Sequence, residues 1–287
     1  MIKTDIKSMT VSELETMLAE MNEPKFRAKQ LFSWLQSGKT SFDEMTNIPL
    51  SLRNKLNDTC YIADVKIVKR FESKIDSTVK YVFSLYDGEY IESVFMKYEH
   101  GYTVCISTQV GCRMGCKFCA SGLGGLVRNL TASEMLSQIM MAAKDNGVRI
   151  SNVVMMGMGE PLDNFENSMR FLELVSASEG LGIGMRHISL STSGVVTGIK
   201  KLGEYNLPIT LSISLHSPFD ENRSSIMPVN KKWNIAELLE ACKEYQKITT
   251  RRISFEYALI EGVNDSDEYA DKLARILKGI MCHVNLI

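Results

Sequence analysis

From residue 101 onward, runs of strand character alternate with runs of helical length, and this rhythm restricts the fold more than any other feature. Strands are predicted at Thr103–Thr108, Asn152–Met156, His187–Thr192, Pro208–Ser214, Arg252–Ile260 and His283–Ile287. Helical patterns lie between them at about 131–146, 164–179, 195–205, 234–247 and 267–280. The first opens on Thr131-Ala-Ser-Glu134, a capping box, and stops at Gly147. Such alternation predicts parallel pairing with right-handed crossovers. Six strands and five helices make an α/β fold, an open barrel-like sheet.

The chain before residue 101 has a different texture. Residues 1–58 read as a helical accessory domain: Ser12-Glu-Leu-Glu-Thr-Met-Leu-Ala carries apolar residues at helical spacing. Phe26, Leu31, Trp34 and Leu35 form a second stripe, flanked by Lys25, Arg27 and Lys29, which are either a solvated helix face or an RNA contact. Residues 59–100 read as a short β linker, with Asp87-Gly88 as a hairpin signal between its last two strands. The core domain is expected over 101–287.

With 45% apolar and 23% charged residues, the chain can bury an ordinary globular core. It shows neither an apolar leader nor a run long enough to span a membrane, so a cytoplasmic location is expected. In that compartment seven cysteines read as metal-binding or catalytic before they read as disulfides. A net charge of −1 supplies no global attraction to nucleic acid, so any RNA contact must use local basic patches.

Cys112, Cys116 and Cys119 have the spacing CxxxCxxC. Three thiolates on one loop suit a four-iron cluster with one iron left open to a chelating molecule. They also suit a zinc knuckle completed from elsewhere, for which Cys105 or His100 could supply the fourth ligand. The loop directly follows the first core strand, and in parallel α/β sheets ligands bind at the carboxyl ends of strands. The other strand ends are polar as well: Gly157-Met-Gly-Glu160 after the second, Ser191-Thr-Ser-Gly194 on the third, Ser214-Leu215-His216-Ser217 on the fourth. The glycines allow close approach of the backbone to a ligand, and Glu160 can hold an ammonium or hydroxyl. Glu92 sits in an apolar strand run, where alternation points it to solvent; burial beside a cofactor would instead raise its pKa and let it move protons. Cys105 reads as core packing, and Cys60, Cys242 and Cys282 as structural.

CxxxCxxC with Phe118 before the last cysteine resembles the signature of radical S-adenosylmethionine (SAM) enzymes. More narrowly, Gln109-Val-Gly-Cys112, Phe118-Cys-Ala-Ser-Gly, Arg128-Asn-Leu-Thr, Val153-Val-Met-Met-Gly-Met-Gly-Glu-Pro-Leu, Leu190-Ser-Thr-Ser-Gly-Val, Ile213-Ser-Leu-His and Pro228-Val-Asn-Lys-Lys resemble the RlmN group of RNA adenine methyltransferases. The resemblance implies a partial (β/α)6 radical SAM barrel. It implies a [4Fe-4S] cluster on Cys112, Cys116 and Cys119, and SAM contacts at Gly159, Glu160, Ser191, Ser214, Leu215 and His216. Glu92 matches the family's proton acceptor and Cys105 its resolving cysteine, which forms a transient disulfide.

The implied reaction spends two SAM molecules per turnover and passes through a methylated cysteine to carbon 2 of an adenosine in 23S rRNA or a tRNA anticodon loop. A low-potential flavodoxin- or ferredoxin-like electron donor and a monomeric enzyme are expected with it. The same motifs fit the Cfr-type relatives, which methylate carbon 8, and a zinc-stabilised RNA-binding module without catalysis is the alternative from another class. The family's methyl-carrying cysteine lies beyond the sixth strand, where this chain has no matching position, and Cys282 precedes that strand. A chain truncated at strand six is therefore expected, with little methylation by these residues alone.

Overall fold

The computed structural model describes residues 3–287, which pack as two compact units. The first comprises residues up to Ser107 together with Leu130–Asn152 and Glu166–Gly184. Its helices are α1 (Val11–Glu20), α2 (Phe26–Gln36), α3 (Leu50–Thr59), α4 (Ala132–Asn146) and nearly all of α5 (Phe165–Ser176). Thr10 and Thr131 cap α1 and α4 in full capping boxes, with Glu13 and Glu134 reaching back. A two-residue parallel bridge joins β1 (Thr4–Asp5) to β2 (Cys60–Tyr61). Beneath it the Lys7 ammonium is buried, donating to Ala63 O at 2.8 Å and Ser137 Oγ at 2.6 Å.

Four antiparallel strands complete this unit: β3 (Lys66–Glu72), β4 (Val79–Ser84), β5 (Tyr90–Tyr98) and β6 (Gly101–Cys105). Val79, Tyr81, Phe83, Ile91, Ser93 and Phe95 share one buried face. That face meets α4, where Tyr81 Oη donates to Asp145 Oδ2 at 2.6 Å and Ser93 Oγ to Gln138 Oε1 at 2.6 Å. Strand alternation then turns the intervening residues away from α4. The strand expected at Thr103–Thr108 is β6; it ends at Cys105 and pairs antiparallel with β5 through the tight turn at Glu99-His100.

The second unit holds Thr108–Asn129, Val153–Phe165 and residues from Met185 on. A small hairpin, β7 (Gln109–Gly111) with β8 (Leu126–Asn129), frames the cysteine loop. Strands β9 (Asn152–Met155), β10 (Ile188–Thr192), β11 (Thr210–Ser214), β12 (Ile253–Tyr257) and β13 (Cys282–Leu286) pair in parallel, in that order. Helices α6 (Val196–Glu204), α7 (Asp220–Ile226), α8 (Ile235–Thr249) and α9 (Asp267–Leu277) connect them. This is the α/β architecture expected, with parallel strands and intervening helices. The strand predicted over Arg252–Ile260 stops at Tyr257, because side chains take over the next amides: Ala258 N donates to His216 Nδ1 and Ile260 N to Asn264 Oδ1. Cys282 opens β13 rather than preceding it.

One face of the parallel sheet is apolar, carrying Leu190, Leu211, Ile213, Ile253 and Phe255. The other is a run of small polar groups in register: Ser191 beside Ser212, Ser254 and His283, then Ser214 beside Glu256 and Asn285. Glu256 is held there by Ser254 Oγ and Asn285 Nδ2, each at 2.7 Å. Among the described residues no helix is long and apolar enough to cross a membrane.

Candidate functional site

The cysteine loop owes its shape to glycine. Gly111 has φ +73°, and a Cβ there would stand 1.9 Å from Gly125 O, the carbonyl to which Cys112 N donates at 2.9 Å. Lys117 N donates to Ile226 O at 2.9 Å and so ties the loop to the end of α7. Cys112 is buried, Cys116 half-buried and Cys119 exposed. Burial pushes the Cys116 thiol up to about 12; ionised Cys119, Cys112 and Glu160 push the same way, while Arg223 opposes them. Cys112 is raised by burial too, against a hydrogen bond from the Met114 amide. Ionisation of Cys119 thus disfavours that of both Cys112 and Cys116, and a cationic centre would stabilise such a donor set. That donor chemistry suits an iron–sulfur cluster, although among the described residues no three His, Cys, Asp or Glu side chains already stand together as a metal site.

The second strand end packs directly on that loop's stem. Gln109, fully buried, accepts from Glu160 N at 2.8 Å and donates to Asn129 Oδ1 and Asp163 Oδ2 at 2.9 and 3.0 Å. Asp163 also takes a two-pronged ion pair from Arg113, between the first two cysteines. Gly159 is in the left-handed region at φ +106°; a Cβ there would meet Gln109 Cβ at 2.6 Å, Gln109 N at 2.7 Å and Thr108 Oγ1 at 2.8 Å. The space a side chain would need there is taken up by the protein's own packing. Thr108 Oγ1 is buried there without a hydrogen-bond partner among the described residues.

Glu160 is fully enclosed. Its Oε2 accepts from Ser193 N at 2.7 Å and Ser193 Oγ at 2.8 Å, and Oε1 from Leu162 N at 3.1 Å. Burial raises its pKa and these donors pull it back. The carboxylate brackets two strand ends by accepting from the protein's own Ser193 hydroxyl and amide. Ser191 and Ser214 are half-buried on the polar face, and Leu215 is buried.

His216 follows at φ +55°, an uncommon conformation for a side-chain-bearing residue. Ala258 N donates to its Nδ1 at 3.0 Å, which leaves the proton of the neutral ring on Nε2. Its ring meets Phe118 edge-on at 4.9 Å, joining the fourth strand end to the cysteine loop. Burial, with Arg223 adding to it, lowers the imidazole to about 4.

Arg223 escaped the sequence reading. It is wholly buried, and its guanidinium donates to Ser193 O (2.6 Å), Ser214 O (2.9 Å), Leu215 O (3.0 Å) and Asn230 Oδ1 (2.9 Å). Burial lowers it to about 10. One side chain thus gathers the third and fourth strand ends. Asn264, also buried, does the same for the fourth and fifth, donating to His216 O and Ala258 O at 2.7 Å each. No local signal marks Arg223, whereas the alternation of serine with apolar residues in β10 and β11 is visible in the sequence.

Glu92 and Cys105 belong to the first unit and are described within it. Glu92 is exposed rather than buried, and its Oε1 pairs with Lys80 Nζ at 2.8 Å. Cys105 is half-buried opposite Val94. Since Glu92 is two residues from Val94 on β5, the two side chains are diagonal neighbours on one sheet face.

Comparison with known proteins agrees with this arrangement. The Radical SAM superfamily pattern matches residues 106–274, and the ribosomal RNA large subunit methyltransferase N-terminal domain matches residues 4–62. A protein of Alkaliphilus oremlandii named probable dual-specificity RNA methyltransferase RlmN is 54% identical over 287 residues, covering 100% of this chain and 84% of its own. A like-named protein of Clostridioides difficile is 51% identical over 285 residues, covering 99% and 83%. A crystal structure of a radical SAM methyltransferase from Sphaerobacter thermophilus superposes with a TM-score of 0.93 at 43% identity, over 99% of this chain and 84% of that one.

Proposed function

This chain belongs to the RlmN family of radical SAM RNA methyltransferases, and on that premise we propose that it methylates carbon 2 of an adenosine in both 23S rRNA and tRNA anticodon loops. It is a SAM-dependent RNA methyltransferase of the iron–sulfur class. The observation that carries the reading is the convergence of the cysteine loop with three polar strand ends, locked by Glu160, Arg223 and His216.

In this proposal Cys112, Cys116 and Cys119 hold the cluster. When bound, the cluster and SAM supply the carbon radical that the poorly nucleophilic carbon 2 demands. Gly159, Glu160, Ser191, Ser214, Leu215 and His216 shape the SAM site, Glu160 by holding Ser193 in place and His216 by offering Nε2–H. Glu92 accepts the proton lost from carbon 2, and Cys105 would release the RNA by closing a disulfide with the family's methyl-carrying cysteine as that sulfur leaves the methylated base, a thiol for which these residues have no match. Their diagonal placement on one sheet face supports acting on the same base. Two SAM molecules per turnover, a flavodoxin- or ferredoxin-like donor, a monomer, and the division into 1–58, 59–100 and 101–287 complete the proposal.

Expression in bacteria lacking 2-methyladenosine, followed by mass spectrometry of nucleosides from purified 23S rRNA and tRNA, tests it. Little 2-methyladenosine is expected from these 287 residues alone, which offer no match to the family's methyl-carrying cysteine; with that cysteine supplied, we expect it in both RNAs and its loss with Cys116→Ala. Finding 8-methyladenosine instead would overturn the assignment to carbon 2.

A further inference from the structure

The four-stranded antiparallel sheet of the first unit has two unlike faces. Against α4 lies the apolar face already described. The register places Lys66, Lys69 and Phe71 of β3, Lys80 and Val82 of β4, Tyr90, Glu92, Val94, Met96 and Tyr98 of β5, and Cys105 of β6 on the other. Phe71, Lys80, Val94 and Cys105 form a single row across all four strands. Its outer positions are open, Phe71 being 54% exposed, Tyr90 55% and Tyr98 48%, while Thr103 of β6 on the same face is buried. Large aromatic rings half in water cost apolar exposure that a purely structural face would avoid, although Tyr98 already has one side stacked on His100 at 5.6 Å.

Charge separates the face from the rest of the chain. It carries three lysines and one carboxylate, on a protein whose net charge is −1. Lys80 pairs with that carboxylate, Glu92, while Lys66 and Lys69 have no ion pair among the described residues. A β3 bulge at Val68 re-aims Lys69 so that both lysines emerge on the aromatic side. Cationic groups interleaved with exposed rings on a sheet suit one chemistry in particular: phosphates on the lysines and unstacked bases on the rings.

We propose that this open face is the docking platform for the single-stranded RNA that flanks the target adenosine, with Lys66, Lys69 and Lys80 contacting phosphates and Phe71, Tyr90 and Tyr98 stacking bases. The proposal rests on the reading of Glu92 and Cys105 given above, because it brings the strand to the face on which both stand. A phosphate that takes Lys80 also releases Glu92 from its ion pair, so arrival of RNA and freeing of the proton acceptor are one event. Acidic or apolar protein partners would leave either the rings or the lysines unmatched.

Binding is read without methylation, by anisotropy of a fluorescein-labelled single-stranded oligoadenylate on the 287-residue chain across a salt series. Lys66→Gln with Lys69→Gln should lower the slope of log affinity against log salt by about 1.4, two contacts at about 0.7 each. Phe71→Ala should weaken binding about tenfold with little change in slope. All three positions are exposed, and unchanged melting temperatures certify the fold. RNA should also protect Lys66 and Lys69 from acetylation, mapped by mass spectrometry on the unmutated chain. Wild-type affinity and slope in both variants, or no protection of either lysine, overturns the platform while leaving the methyltransferase assignment intact. Absence of 2-methyladenosine from cells in which the methyl-carrying cysteine is also supplied would overturn that assignment and leave the binding result standing.

Discussion

The polar strand ends of the second unit and the open sheet face of the first are both rich in chemistry, yet they are built on opposite principles. At the strand ends Glu160, His216 and Arg223 are buried and hydrogen-bonded to backbone. On the open face Lys80 and Glu92 each keep 47% of their side chain in water and, among the described residues, pair with each other. Low local dielectric makes every buried contact costly to lose, whereas solvent screens an exposed pair. The first arrangement holds a small ligand rigidly; the second leaves side chains free to exchange partners with a large one.

The widest gap between the two regions is expected for Arg223→Met. It strands four acceptors that converge on one guanidinium, and should lower unfolding free energy by about 3–5 kcal/mol in denaturant titration. A loss below about 1 kcal/mol would mean the strand ends are as compliant as the open face.

His216 sharpens the contrast through pH. Its folded value, about 4, lies below the ordinary 6.5, so between those values the unfolded chain binds a proton that the folded chain refuses. Stability from this group is complete above about 6.5 and falls as pH drops toward 4. Relative to His216→Gln, the wild type should lose up to about 3 kcal/mol over that window. A pH-independent difference would show that the imidazole is protonated in place.

The smallest effect belongs to Lys80→Met, which should cost under about 1 kcal/mol, less still in high salt. A loss above about 2 kcal/mol would make the open face a structural element and remove the contrast altogether.

Much of this organisation was legible from residue order. All six predicted core strands and five helices exist, because apolar periodicity and capping boxes such as Thr131–Glu134 act locally. Helix α7 was not legible: Asp220-Glu-Asn-Arg-Ser-Ser-Ile has no apolar stripe, and its buried face is a single arginine. The β7–β8 hairpin was missed for a related reason, as its two short strands are separated by the whole cysteine loop. The close packing of Gly159 against Gln109 and Thr108 was not legible either, since both neighbours lie far from it in sequence.

By itself the sequence determined the kinds of element, their order, the three cysteines on one loop and the family they signal. These depend on residues within a few positions of one another. Only the tertiary structure decided that Glu160 serves Ser193, that Arg223 serves three backbone carbonyls, and that Glu92 and Cys105 share a face with Lys66, Lys69 and Phe71. Burial and register are set by partners tens of residues away, and a polar side chain's role follows from whether water or protein satisfies it.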